Sequence, residues 1–171
     1  MAKKLYGTDP DQVPTNADLG TAAYADLGNQ VYGPAFRYFA DTGANQSVPS
    51  GSQTLVLWPD KSFDTHDAVS SNRFTAPFAG IYYFNASVLL EDPDAGTVMS
   101  LSFYKNGARV LSGDTVAVGG ANENLQVMSV QKLNIGDYIE AYAYQASGSA
   151  KDLFTTLTNL NEFSGFMVRG A

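Results

Sequence analysis

The 171-residue chain has no cysteine and a single histidine, His66. Without thiols there can be no disulfide framework, no thiolate metal site and no cysteine nucleophile. Positive charge is also scarce, with ten Lys and Arg against seventeen Asp and Glu, a net charge of −7. Such a chain offers no footprint for a phosphate backbone, which argues against nucleic acid as a partner; the negative surface serves solubility. No apolar run approaches the ~20 residues of a membrane-spanning helix. The opening residues, Met1-Ala2-Lys3-Lys4-Leu5-Tyr6-Gly7, lack the apolar stretch of a signal peptide. The chain is therefore expected to be made in a cytoplasm, without membrane insertion.

What the chain has in quantity is ten Tyr, ten Phe and sixteen Gly. Aromatics favour pleated, half-buried surfaces and glycines supply turns, so the composition predicts an all-β protein. The length suits one domain with a modest appendage. The appendage is predicted over residues 1–33, ahead of a globular domain over residues 34–171. Within it, Ala17-Asp18-Leu19-Gly20-Thr21-Ala22-Ala23-Tyr24 is followed by Ala25-Asp26-Leu27-Gly28-Asn29-Gln30-Val31-Tyr32, an Ala-Asp-Leu-Gly repeat with a period of eight. Its glycines and acidic residues argue against one long helix, and Pro10 and Pro14 favour extended chain. One Leu and one Tyr per unit cannot form a core alone. The segment reads as an extended attachment arm whose contacts fall to Val13, Pro14, Leu19, Tyr24, Leu27 and Tyr32.

The domain is organised around residues 63–90, whose middle reads Asn72-Arg73-Phe74-Thr75-Ala76-Pro77-Phe78-Ala79-Gly80-Ile81-Tyr82-Tyr83-Phe84. This predicts a strand, a corner punctuated by Pro77 and Gly80, and a second strand, together a core hairpin. Further strands are expected at 36–39, 53–58, 98–104, 125–130, 138–144 and 163–168, with Asn106-Gly107 as the strongest hairpin signal. Residues 41–51, 113–123 and 146–151 read as loops, with a short strand at 115–118; residues 154–160 read as extended.

Four of these motifs carry a family resemblance. Arg73-Phe74-Thr75-Ala76-Pro77 with Gly80-Ile81-Tyr82-Tyr83-Phe84, the Leu133-Asn134-Ile135-Gly136-Asp137 turn, the aromatic opening strand from Phe36, and the closing Phe163-Ser164-Gly165-Phe166 all resemble the C1q/TNF-like globular domain. That resemblance implies an antiparallel jelly-roll sandwich assembling as a homotrimer. A second resemblance lies in the arm. Gln12-Val13-Pro14-Thr15-Asn16-Ala17-Asp18-Leu19-Gly20-Thr21-Ala22-Ala23-Tyr24 resembles segments that recur in tailed-bacteriophage virion proteins, notably fibre shafts and other appendages.

Alternation along the strands points to assembly independently. In the central strand, Tyr82, Phe84, Ala86, Val88 and Leu90 form the core parity, yet the opposite parity still carries Ile81, Tyr83 and Leu89. Tyr138, Tyr142 and Tyr144 likewise oppose Ile139, Ala141 and Ala143, and Phe166 opposes Phe163. Strands apolar on both faces need cover on both sides. With no amphipathic helix in the sequence, another subunit supplies it, and Ile81, Tyr83, Tyr138, Tyr142, Tyr144 and Phe166 are the expected trimer contacts.

Catalytic and metal-binding chemistry finds no support. His66 has no convergent partners and reads as a loop residue. Glu91, Asp92 and Asp94 are the ligand type for Ca²⁺ but lack the twelve-residue loop of an EF-hand, so a solvated acidic turn is the reading and no cofactor is expected. There is no Gly-x-Ser-x-Gly elbow and no glycine-rich phosphate loop, so no enzyme is expected. The two resemblances together imply a phage virion protein, made in the bacterial host and placed on the virion surface. In this reading it decorates or cements the capsid, its arm lying on the major capsid protein or another virion protein. A tail-fibre tip recognising a host glycan or surface protein is the alternative, and a non-viral C1q-like lectin or ligand the third.

Overall fold

A computed structural model describes residues 33–41, 43–155 and 161–170. The chain divides into residues 1–33 and 34–171. The octad arm, with Val13, Pro14, Leu19, Tyr24, Leu27 and Tyr32, lies outside the described residues, as do residues 156–160 of the segment expected to be extended.

Every regular element described is a strand: β1 (Ala35–Phe39), β2 (Gln46–Val48), β3 (Thr54–Leu55), β4 (Asp60–Asp64), β5 (Val69–Ser70), β6 (Arg73–Thr75), β7 (Gly80–Leu90), β8 (Val98–Lys105), β9 (Ala108–Val116), β10 (Glu123–Leu133), β11 (Tyr138–Gln145), β12 (Lys151–Leu153) and β13 (Glu162–Gly170). All pairings are antiparallel. In the first sheet β10 takes one whole edge of β7; β13 and then β12 share the other, followed by β1 and β4 beyond β13 and by β2 beyond β12. The second sheet runs β5-β6-β11-β8-β9, with β3 continuing the line of β6 along β11.

The period-2 pattern of the central strand is realised. Tyr82, Phe84, Ala86, Val88 and Leu90 are fully buried between the sheets, and burial alternates along the whole of β7. Around them packs an aromatic cluster in which the Phe163 ring lies 4.8 Å from Phe36, 5.7 Å from Trp58 and 6.4 Å from Phe84. Offset and tilted ring pairs of this kind add to the area they bury.

Three expectations are corrected. Residues 73–84 do not form a hairpin, because β6 lies in the second sheet and β7 in the first. The Pro77 corner carries the chain across the sandwich, and Tyr82 Oη fastens it by donating to the Phe78 carbonyl at 2.7 Å. Residues 113–116, expected as loop and a separate short strand, belong to the continuous strand β9. Gly113 is not a turn glycine; a Cβ there would be driven into the Gln126 carbonyl oxygen of β10, so it marks where the edges of the two sheets touch. Gly113→Ala is accordingly expected to cost about 1–3 kcal/mol in urea unfolding, with a neutral result contradicting that close approach. The turn-rich stretches also contain short strands, β2 and β12, which pair with each other. Buried Gln145 anchors β2 by donating to the Val48 carbonyl at 2.9 Å.

Candidate functional site

The outward face of the first sheet carries apolar side chains that this core leaves uncovered. The odd residues of β7, namely Ile81, Tyr83, Asn85, Ser87 and Leu89, point away from the core and are partly exposed. Register places Val130 and Phe166 on either side of Tyr83, and Met128 beside Asn85. Met128, Val130, Phe166 and Val168 are each about half exposed or more, with Val130 at 62%. The Tyr83 and Phe166 rings lie 5.4 Å apart. A bulge between Met167 and Arg169 places Val168 opposite no single residue of β7. The result is a contiguous apolar patch drawn from three strands. Beyond the patch, Arg37 Nε donates to Glu162 Oε2 at 2.8 Å and Ser164 Oγ to Glu162 Oε1 at 2.7 Å. Burial pushes the Glu162 carboxyl up, but hydrogen bonds from Ser164 and Arg37, the Arg37 charge and an Asn85 hydrogen bond outweigh it. The group therefore titrates below the ordinary carboxylate range.

The six expected trimer contacts divide between two faces. Ile81, Tyr83 and Phe166 share the patch just described, whereas Tyr138, Tyr142 and Tyr144 line the outward face of the second sheet, on β11. Two of those tyrosines, Tyr138 and Tyr142, find cover within the chain. The Arg73 guanidinium lies 4.4 Å from the Tyr138 ring centroid, and Tyr104 packs on Tyr142 at 4.5 Å. Arg73 Nη2 also pairs at 3.0 Å with the buried Glu140. Desolvation, and then the Glu140 charge, raise the Tyr142 hydroxyl above the ordinary phenol range.

The loops hold the remaining candidate residues. His66 Nδ1 lies 2.8 Å from Thr65 Oγ1, and its ring meets Phe78 edge-on at 5.5 Å. The preceding Asp64 accepts from the backbone N–H groups of His66, Ala68 and Val69 and shapes this turn. In the acidic turn, Lys151 Nζ donates to the Asp92 carbonyl at 2.8 Å and stands 3.7 Å from Asp94 Oδ2, placing a counter-charge among the carboxylates.

Asp137 shows why the Asn106-Gly107 hairpin and the Leu133–Asp137 turn occur together. Its carboxylate accepts from Asn106 Nδ2 at 2.8 Å, from the Asn134 N–H at 2.9 Å and from Lys105 Nζ at 2.9 Å. Those bonds, the Asn106 one foremost, draw its pKa down to about 2. Because the folded-state pKa is depressed, the stabilisation is present above the unfolded value and disappears as pH falls through the folded one. Asp137→Ala is expected to melt at a lower temperature than wild type near pH 6, and the two melting curves should converge between about pH 4 and pH 2. A gap that persists at the acid end would contradict this.

Sequence reasoning missed Met128, Val130, Arg37 and Glu162. For β10 the signal was present, since Leu125 and Val127 on one parity and Met128 and Val130 on the other repeat the two-sided pattern of β7.

Strand order and pairing define the chain as an antiparallel jelly roll. Two solved structures share it. The globular domain of zebrafish complement 1qA protein superposes with a TM-score of 0.56 at 19% identity, covering 81% of this chain and 99% of that one. The TNF Eiger of S. frugiperda superposes with a TM-score of 0.60 at 10% identity, covering 81% and 95%. No protein-family model and no curated protein matches the chain. At these identities the likeness is one of fold, and the all-β, C1q/TNF-like jelly roll expected from the four motifs is the fold observed.

Proposed function

We propose that this protein is a bacteriophage virion structural protein, a homotrimeric jelly-roll head that decorates or cements the capsid and is held there by its N-terminal arm. The assembly half is carried by the apolar outward face of the first sheet, from Ile81 and Tyr83 to Met128, Val130, Phe166 and Val168. Contiguous apolar patches of this kind are rarely left bare on a monomer. Three copies placed around an axis cover it with a closed ring of identical contacts, as the resemblance to C1q/TNF-like domains implies. The role is one of binding and assembly rather than catalysis.

The virion half is supported by residues 12–24, whose Leu-Gly-Thr-Ala-Ala-Tyr segment resembles phage appendage proteins. Three arms per head raise the effective concentration of each for its site, giving firm attachment from weak single contacts. The test is immunogold labelling of purified phage particles with an antibody to the jelly-roll domain. Label over the head shell is expected. Label at the tail tip would move the protein to host recognition, and particles without label would overturn the virion reading.

A further inference from the structure

A row of polar side chains crosses the otherwise apolar face of the first sheet. It runs over four adjacent strands, from Arg37 on β1 through Glu162 and Ser164 on β13 and Asn85 on β7 to Gln126 on β10. The members are joined to one another. Besides the bonds of Arg37 and Ser164 to the Glu162 carboxylate, Asn85 also bonds to that carboxylate. Gln126 Nε2 donates to Asn85 Oδ1 at 3.3 Å. Ile81, Tyr83, Val130, Phe166 and Val168 stand on one side of the row and Leu89 on the other, while Met128 lies level with Asn85 and Phe39 level with Glu162 at its two ends. Glu162 and Arg37 are already about three-quarters and two-thirds shielded, with side chains 25% and 32% exposed respectively.

Apolar contact is non-directional, and a patch of Ile, Tyr, Met, Val and Phe side chains alone would accept a neighbour in several shifted placements. A hydrogen-bonded charge pair bordering the patch on the same face changes that. Glu162 accepts from three donors of its own chain, so a neighbour lying correctly across the row leaves its oxygens satisfied. A neighbour displaced by one strand spacing, about 4.8 Å, would press apolar side chains onto the pair and strip its remaining water with no compensating bond. Discrimination of this kind acts against wrong placements more than it adds affinity for the right one.

We propose that the Arg37–Glu162–Ser164–Asn85–Gln126 row is the register element of the contact between copies of this chain, admitting one placement of the neighbouring subunit and rejecting shifted ones. The inference rests on the assembly reading above. It is tested by sedimentation velocity and native mass measurement on wild type, Arg37→Met and the double variant R37M/E162M, each first checked for a cooperative melt. Arg37→Met leaves Glu162 without its cation and is expected to weaken subunit association at least about tenfold. If it does not fold, Glu162→Gln, which keeps size and neutralises the carboxylate, is expected to do the same. The double variant is expected to recover association but to distribute over several oligomeric sizes. A trimeric wild type with single variants of unchanged affinity, or a double variant as uniform as wild type, would overturn the inference alone. A wild type that stays monomeric would overturn the assembly reading itself, and the inference with it.

Discussion

The Phe163→Ala variant is expected to lose about 3–5 kcal/mol of folding stability, the cost of deleting a fully buried phenylalanine whose site cannot collapse. Phe163 has no exposed surface, and its ring is met by Phe36 at 4.8 Å, Trp58 at 5.7 Å, Phe103 at 6.1 Å and Phe84 at 6.4 Å. These four rings come from four separate parts of the chain and both sheets, so no local shift fills the void. Against the 5–15 kcal/mol that holds an ordinary domain together, such a loss leaves a marginal fold or none. Urea unfolding followed by tryptophan fluorescence measures it, with Trp58 in contact with the site as reporter. A loss under about 1 kcal/mol would show that the aromatic cluster is not the centre of the core.

Three residues along the same strand, Phe166→Asp is expected to leave folding almost untouched and to abolish assembly. Phe166 is 49% exposed on the outward face, packed on Tyr83. Exposed substitutions away from special features shift folding stability by about 0.5 kcal/mol or less. At the centre of the proposed subunit contact the same change deletes an aromatic anchor and buries an unpaired carboxylate, and anchors of this kind are worth at least about 2 kcal/mol before the charge is counted. Association should fall by about a hundredfold or more on that basis. A monomeric variant with a wild-type melting profile after correction for concentration is the expected result. A variant that stays assembled would place the contact elsewhere, the tyrosine face of β11 being the next candidate.

How much of this was legible in the sequence follows from what a strand pattern encodes. Parity is local, so the faces of β7 are legible from Ile81 to Leu90, and Phe163 and Phe166 fall on opposite faces by sequence alone. The turns were equally local: Asn106 and Gly107 both adopt positive φ, as their hairpin requires. Sheet membership is not local. Nothing between Arg73 and Phe84 says that the chain changes sheets at Pro77, and nothing in β11 says that its tyrosines face away from Tyr83 and Phe166. Gly113 reads as a turn in any window that lacks Gln126. The polar row was the least visible feature, because Arg37 and Glu162 are 125 positions apart and each alone looks like an ordinary surface charge. The short strands β2 and β12 fail for a related reason: three residues carry no period, and only their pairing with each other makes them strands.

The arm and the head answer different questions. The jelly roll carries an apolar outward face on its first sheet, and residues 12–24 carry the resemblance on which the proposed virion role rests. The claim on which the rest depends is that the outward face of the first sheet is a contact between copies of this chain. Sedimentation equilibrium of the wild-type protein over a hundredfold range of concentration tests it most directly. The account predicts a single species of three times the chain mass, dissociating only at the dilute end; a species of one chain mass throughout would contradict it.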